Sequence, residues 1–145
     1  EDPTVRRCMG YAKRWGHSGL VMLNLFGRRS PDPRCLLEPG DPVGRDNDTY
    51  ILSQTYQRAV LCAWGGFKST AGSIVEHRSR AVLHLLRDRT LICLGRTKWG
   101  RPAHPLCQRE ADRLDAEFEA GVREGRWDAR GYTPTERKTR KAGRT

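Results

Sequence analysis

The chain has 145 residues, of which 27 are Lys or Arg and 17 are Asp or Glu, so its net charge at pH 7 is +10. This length predicts one domain, or one domain with a tail, and a domain of this size folds without disulfide bonds. No apolar run approaches the roughly 18 residues that read as a membrane-spanning helix, and the N-terminal residues do not resemble a signal peptide. The surplus of positive charge favours DNA or another nucleic acid as partner, and we expect no membrane association.

The cysteines are spread along the chain without a CxxC pair: Cys8, Cys35, Cys62, Cys93 and Cys107. Zinc sites and disulfide frameworks both favour paired spacings. We therefore predict reduced thiols in a cytoplasmic protein, with no metal and no cofactor.

The predicted elements alternate between helix and strand. Asp2 and Pro3 are typical of a helix N-cap and first turn, and Gly16 ends that helix. The apolar run at residues 20–26 predicts a strand buried on both faces. We also predict two more helices, one from Asp46 or Asp48 to about Gln57 and one over residues 73–87. Two more strands are predicted, over residues 59–64 and over residues 91–94.

Alternating strands and helices predict an α/β fold, a three-layer α/β/α sandwich with a mostly parallel sheet. This domain covers residues 1–107, where the net charge is +8. Residues 108–126 read as a charged helix and residues 127–145 as a basic, disordered tail. Function is expected at the carboxyl ends of the strands, where open α/β sheets bind their ligands.

Two polar residues at these strand ends are candidates for chemistry. His104 follows the third strand in a Pro-flanked loop, where it either packs into the turn or donates a hydrogen bond to a developing anion. Asn24 interrupts an apolar run, so its amide either bonds a neighbouring loop or pairs with the edge of a nucleobase.

Aromatic and basic side chains in the same loops are candidates for binding. Trp64 and Phe67 are core residues or stacking platforms for a base, and Trp99 lies between cations in a glycine-bearing loop. Arg96, Lys98 and Arg101 in that loop would hold phosphates.

Several segments resemble a bacterial and phage family catalogued as domain of unknown function 1643. The matching stretches span residues 1–107 and read DPTVRRC from Asp2, LNLF from Leu23, DPVGRDND from Asp41, AWG from Ala63, LGRTK from Leu94 and HPL from His104. The resemblance implies a cytoplasmic protein of a bacterial or phage-infected cell. The family name itself supplies no activity.

The chain is also similar to the uracil-DNA glycosylase superfamily. In that superfamily a strand ending in Leu-Leu-Asn supplies the asparagine that reads a flipped base, and Met22-Leu23-Asn24 is similar to it. A His-Pro loop supplies the histidine that faces the base carbonyl and then a leucine wedge. His104-Pro105-Leu106 looks like a shortened form, which implies a DNA-contacting role for Leu106.

Both families carry a motif before the first helix, at the end of a first strand, with the Asn-Pro or Asp-Pro step that positions water. Residues 1–145 do not contain it, so we expect the sheet to lack its first strand. The leading hypothesis is a DNA-glycosylase-like domain that recognises an extruded or modified base. The alternatives are a noncatalytic nucleic-acid-binding or phage-accessory protein that retains the fold, and an enzyme acting on nucleosides or nucleotides.

Overall fold

The computed structural model describes residues 2–66, 71–97 and 101–107. This part of the chain forms three α-helices and two short strands: α1 (Pro3–Arg14), α2 (Asn47–Thr55), β1 (Val60–Cys62), α3 (Gly72–Leu85) and β2 (Leu91–Cys93). Two 3₁₀ helices, Pro33–Leu37 and Pro105–Cys107, lie in the connections. None of the described helices is long and apolar enough to cross a membrane.

Helix α1 begins and ends where the sequence predicts. The Asp2 carboxylate accepts hydrogen bonds from the backbone N–H groups of Thr4 at 2.7 Å and Val5 at 3.3 Å, which satisfies two donors that the first turn leaves open. After the helix, Gly16 adopts a φ of 78°, a left-handed conformation that costs glycine little. These local signals therefore set both ends of α1.

The described sheet consists of β1 and β2, which pair in parallel with Val60 opposite Leu91 and Cys62 opposite Cys93. Helix α3 connects the two strands, as parallel pairing requires. The main core lies between this sheet and the helices, and its buried members are Ile51, Cys62, Val82, Leu86 and Leu91. The mixed α/β class is therefore confirmed, with a smaller sheet in the described ranges than the sequence predicts.

The apolar run at residues 20–26 is not a strand, so this sequence prediction is wrong for the described structure. Leu25 and Phe26 do pack against a second buried cluster, which consists of Leu36, Ala71 and Val75. Val21 and Met22 are exposed. The carbonyl oxygens of Asn24 and Leu25 accept hydrogen bonds from side chains instead of from a neighbouring strand. Polar side chains thus take the place of a strand ladder along this segment.

Several sequence predictions lie outside the described residues. These are the helix at 108–126, the basic tail at 127–145, and the candidate residues Phe67, Lys98 and Trp99. They stay predictions.

The five cysteines, all of which lie among the described residues, form no disulfide bond and occupy very different environments. Cys62 and Cys93 face each other across the two strands and are 1% and 2% exposed, whereas Cys107 is exposed. Burial raises the pKa of the Cys62 thiol to about 12, with a further contribution from the neighbouring Cys93. The thiolate is the form that reacts with electrophiles. Cys62 is therefore unreactive for two reasons: its thiol is inaccessible, and its raised pKa keeps it protonated.

We expect a thiol reagent at pH 8 to label Cys107 well before Cys62 and Cys93 in the native protein. Mass spectrometry of peptides after timed labelling measures this order. In guanidinium chloride all five cysteines should be labelled at similar rates, which provides the control. Equal labelling of Cys62 and Cys107 in the native state would contradict the buried sheet.

Candidate functional site

The segment that returns to the sheet after β2 is bonded to the ends of both strands. Residues 101–103, here called the return segment, pair with the continuation of β2 through an antiparallel bridge between Arg96 and Pro102. The N–H of Ala103 donates to the Gly95 carbonyl at 2.9 Å, and the Pro102 carbonyl accepts from the N–H of Gly65 at 2.9 Å. The return segment therefore delivers the next residue, His104, to the carboxyl edge of the sheet.

Gly65 makes the close approach of His104 possible. A Cβ atom at position 65 would lie 3.0 Å from the Cβ of His104, which is closer than packed carbon atoms normally come. Gly65 also has a φ of 77°, in the left-handed region that favours glycine. A side chain at this position would therefore both strain the backbone and displace the histidine.

His104 is held as a neutral hydrogen-bond donor. Burial lowers the pKa of His104 below its usual value of 6.5, and the negative charge of Asp2 opposes this effect without overcoming it. The N–H of Leu106 donates to Nδ1 of the ring at 3.3 Å, so Nδ1 acts as an acceptor. In the neutral ring the proton then resides on Nε2, which leaves an Nε2–H donor at the strand ends.

The start of α1 belongs to the same region. The helix packs against the 3₁₀ helix Pro105–Cys107, directly after His104. Asp2, the N-cap of α1, supplies the negative charge that acts on the His104 ring. Three separate segments therefore act on the histidine: the residues that follow β1 by close contact, the return segment by the chain connection, and the beginning of α1 by the charge of Asp2.

Arg101 is engaged in an ion pair within the protein. Its Nε donates to a carboxylate oxygen of Glu76 in α3 at 2.6 Å, and its Nη2 contacts the same oxygen. Burial opposes ionisation of Glu76, but the guanidinium groups of Arg101 and Arg80 outweigh it, so the pKa of this carboxyl lies below its usual value. Because only 17% of the Arg101 side chain is exposed, this contact anchors the return segment to α3.

Asn24 lies in a second polar cluster, which is centred on Arg78. The Nε of Arg78 donates to the Leu25 carbonyl at 2.7 Å, and its Nη2 donates to Asp48 at 2.6 Å. The side-chain amide of Asn47 donates to the carbonyls of Leu25 at 3.0 Å and Asn24 at 3.3 Å. This cluster holds the backbone at Asn24, and the residue itself is exposed.

Trp64 packs against the main core, next to Gly65. Its indole N–H is buried and donates no hydrogen bond among the described residues. Buried donors without a partner are uncommon and call for an explanation. Packing is thus the observed role of the ring, and an unpaired donor lies at the same strand end as His104.

The structure brings together some of the predicted site residues and separates others. Trp64, Arg101, His104 and Leu106 belong to the end of β1, the return segment and the turn that follows it; Leu106 is 45% exposed. Arg96 lies half-buried in the strand that faces the return segment. No hydrogen bond among the described residues links Asn24 to His104, so their joint action on one ligand stays a prediction.

The structure adds residues that the sequence interpretation did not assign to the site: Asp2, Glu76 and Arg78. Asp2 was predicted only as a helix cap. For Arg78 a signal was available, because it lies three residues after Val75 and four before Val82, on the buried stripe of α3. An arginine at such a position predicts a buried polar contact.

Comparison with known proteins establishes the family of the chain. A family model described as protein of unknown function (DUF1643) matches residues 1–106, so the chain belongs to this family and the resemblance seen in the sequence is confirmed. No curated protein and no solved structure matches the chain. The site must therefore be interpreted from its own chemistry.

We expect the variant Asp2→Asn to lower the pKa of His104 further, because it removes the negative charge that favours the imidazolium. Asparagine remains a good N-cap, so α1 should be retained. NMR titration of the His104 ring signals measures the shift, with the ring signals of exposed His84 as the internal reference. A pKa that stays unchanged or rises would show that the Asp2 carboxylate does not act on this ring.

We expect Arg78→Met to lower the free energy of unfolding by about 2 kcal/mol, since it removes charge-assisted hydrogen bonds to Leu25 and Asp48. Arg80→Met is the matched control on the same helix. Arg80 is 79% exposed and pairs with Glu76 one turn away, so its loss should be below about 1 kcal/mol. Urea unfolding measures both, and equal losses would contradict a special role for Arg78.

Proposed function

We propose that this protein binds nucleic acid and recognises an extruded or modified base at the carboxyl edge of the β1–β2 sheet, with DNA-glycosylase-like chemistry at His104. The observation that carries the proposal is the neutral His104 ring, which presents an Nε2–H donor at the ends of both strands. The motif His104-Pro105-Leu106 is consistent with it, because the motif resembles the His-Pro loop that supplies the base-facing histidine in the uracil-DNA glycosylase superfamily. The three-layer sandwich is part of the same proposal.

The chemistry of His104 follows from the charge that base release creates. In base release by hydrolysis, water forms a new bond to C1′ of the sugar as the N-glycosidic bond breaks, and the electron pair of the broken bond remains with the base. The negative charge spreads onto the base carbonyl oxygen until the proton lost by the water neutralises it. A donor already oriented towards that oxygen stabilises the charge more as the bond breaks than before it breaks. A neutral imidazole with a proton on Nε2 is suited to this role.

Other residues are assigned to binding within this proposal. The exposed amide of Asn24 would read the edge of the base, and the Trp64 ring would support the base pocket from the core against which it packs. Phe67 and Trp99 would stack on bases, and Arg96, Lys98 and Leu106 would contact the strand. Because Glu76 already neutralises Arg101, we now assign Arg101 to anchoring the return segment rather than to phosphate binding.

A noncatalytic nucleic-acid-binding protein is the second candidate. Two observations favour it: Arg101 is paired with Glu76, and the Trp64 ring packs against the core. Because of these contacts, neither Arg101 nor Trp64 is available to act on a base during its release. This candidate predicts binding without base release.

The proposal is tested on single- and double-stranded oligonucleotides that carry deaminated or modified bases. Fluorescence anisotropy measures binding, and strand cleavage in alkali reports base release. We expect His104→Ala to slow base release about 100-fold, the effect of removing one donor to a developing anion. The matched control is His84→Ala, which replaces an exposed histidine of α3 and should change neither quantity.

Three outcomes separate the candidates. Base release that depends on His104 supports the glycosylase-like site. Binding with no base release by the unaltered protein supports the noncatalytic candidate. Absence of binding to every oligonucleotide contradicts both.

A further inference from the structure

Helix α1 carries a basic face that the proposed site does not use. Its residues from Pro3 to Arg14 include four cations and no carboxylate: Arg6, Arg7, Lys13 and Arg14. Positions 6 and 13 are seven apart, as are positions 7 and 14, so each pair lies on one stripe after two helical turns. The two stripes lie about 100° apart around the helix axis, with Gly10 between them, and are here together called the basic face.

The opposite face of α1 is buried in the fold. Cys8 is 8% exposed and Tyr11 is fully buried, and the Tyr11 ring stacks on Trp15 at 5.2 Å between ring centroids. Arg6, Lys13 and Arg14 are exposed, and Arg7 is half-buried. Packing thus leaves Arg6 and Lys13 on the outer side of the helix, whereas the Arg14 guanidinium lies 4.8 Å from the centre of the Tyr11 ring, at the border of the buried face.

The location of this face relates it to the proposed site. Helix α1 packs on Pro105–Cys107, the turn that directly follows His104, and its N-cap Asp2 acts on the His104 ring. Arg6 lies one turn into the helix from that cap. A polymer whose base reached His104 would therefore have its backbone close to the first turns of α1.

The dimensions of the face match a nucleic-acid backbone. Seven residues of helix rise about 10.5 Å, so Arg6 and Lys13 span the axial distance of about three nucleotides at about 3.4 Å each. Arginine and lysine are the side chains that most often neutralise phosphates. An anionic membrane is the less suitable partner, because a membrane-binding helix inserts its apolar face and that face of α1 is occupied by the protein core.

We propose that the basic face of α1 binds the phosphate backbone of the nucleic acid whose base is recognised beside His104. This inference rests on the proposed function and adds the surface that supplies affinity. The helix contributes sequence-independent contacts, and the strand ends contribute base recognition. Binding through this face therefore depends steeply on salt concentration, because each neutralised phosphate releases counterions.

The test compares two double variants that remove the same amount of charge. Arg6→Gln with Lys13→Gln alters the basic face, whereas Arg58→Gln with Arg87→Gln alters exposed arginines just beyond α2 and α3. Binding of the full chain to a 20-nucleotide single strand and to its duplex is measured from 50 to 200 mM NaCl. For the duplex, the slope of log affinity against log salt concentration should become less negative by about 2 in the α1 variant, and by much less in the control variant.

A charge-preserving variant, Arg6→Lys with Lys13→Arg, separates loss of charge from loss of folding. It should retain the slope of the unaltered protein, while circular dichroism reports the helix content of all variants. Equal slopes for the α1 variant and the control variant would overturn the inference and leave the proposed function standing. If the unaltered protein binds phosphatidylserine vesicles but no oligonucleotide, both the inference and the proposed function are overturned.

Discussion

The buried guanidinium of Arg78 joins by hydrogen bonds three parts of the chain that also meet in the hydrophobic core. One nitrogen binds the Leu25 carbonyl and another binds Asp48, so one side chain links α3, α2 and the segment at residues 20–26. That segment contributes Leu25 and Phe26 to the core but has no partner strand among the described residues. Without the donors of Arg78 and Asn47, its inward carbonyls would lose hydrogen bonds that a sheet normally supplies.

A second charged contact from the same helix acts on the other side of the candidate site. Glu76 binds Arg101, and Arg101 begins the return segment that places His104 against Gly65. Helix α3 therefore holds both the Asn24 region and the His104 region through two ion pairs that originate two residues apart. In this arrangement α3 is the common support, and the loops that carry the candidate residues depend on it.

The features that could be predicted from sequence are those with local causes. The cap at Asp2, the stop at Gly16 and the strand positions around Val60–Cys62 and Leu91–Cys93 follow from neighbouring residues. The apolar composition of residues 20–26 predicts a strand because such composition indicates burial. The composition does not indicate whether a partner strand is present. The contacts that replace the ladder join positions 22 and 53 residues apart, and the Glu76 partner of Arg101 is 25 residues away. No local pattern contains such pairings, so the sequence alone predicts neither the Glu76 partner of Arg101 nor the contacts of Arg78.

The contact between Gly65 and His104 has a consequence for how this sequence can change over time. A side chain at position 65 would meet the Cβ atom and the backbone of residue 104, and the left-handed φ of Gly65 independently favours glycine there. Position 65 should therefore stay glycine wherever the chain keeps this close approach, whichever side chain residue 104 carries. A relative that carries the histidine without the glycine would hold its ring in a different place, so the pair is a better marker of a shared site than either residue alone.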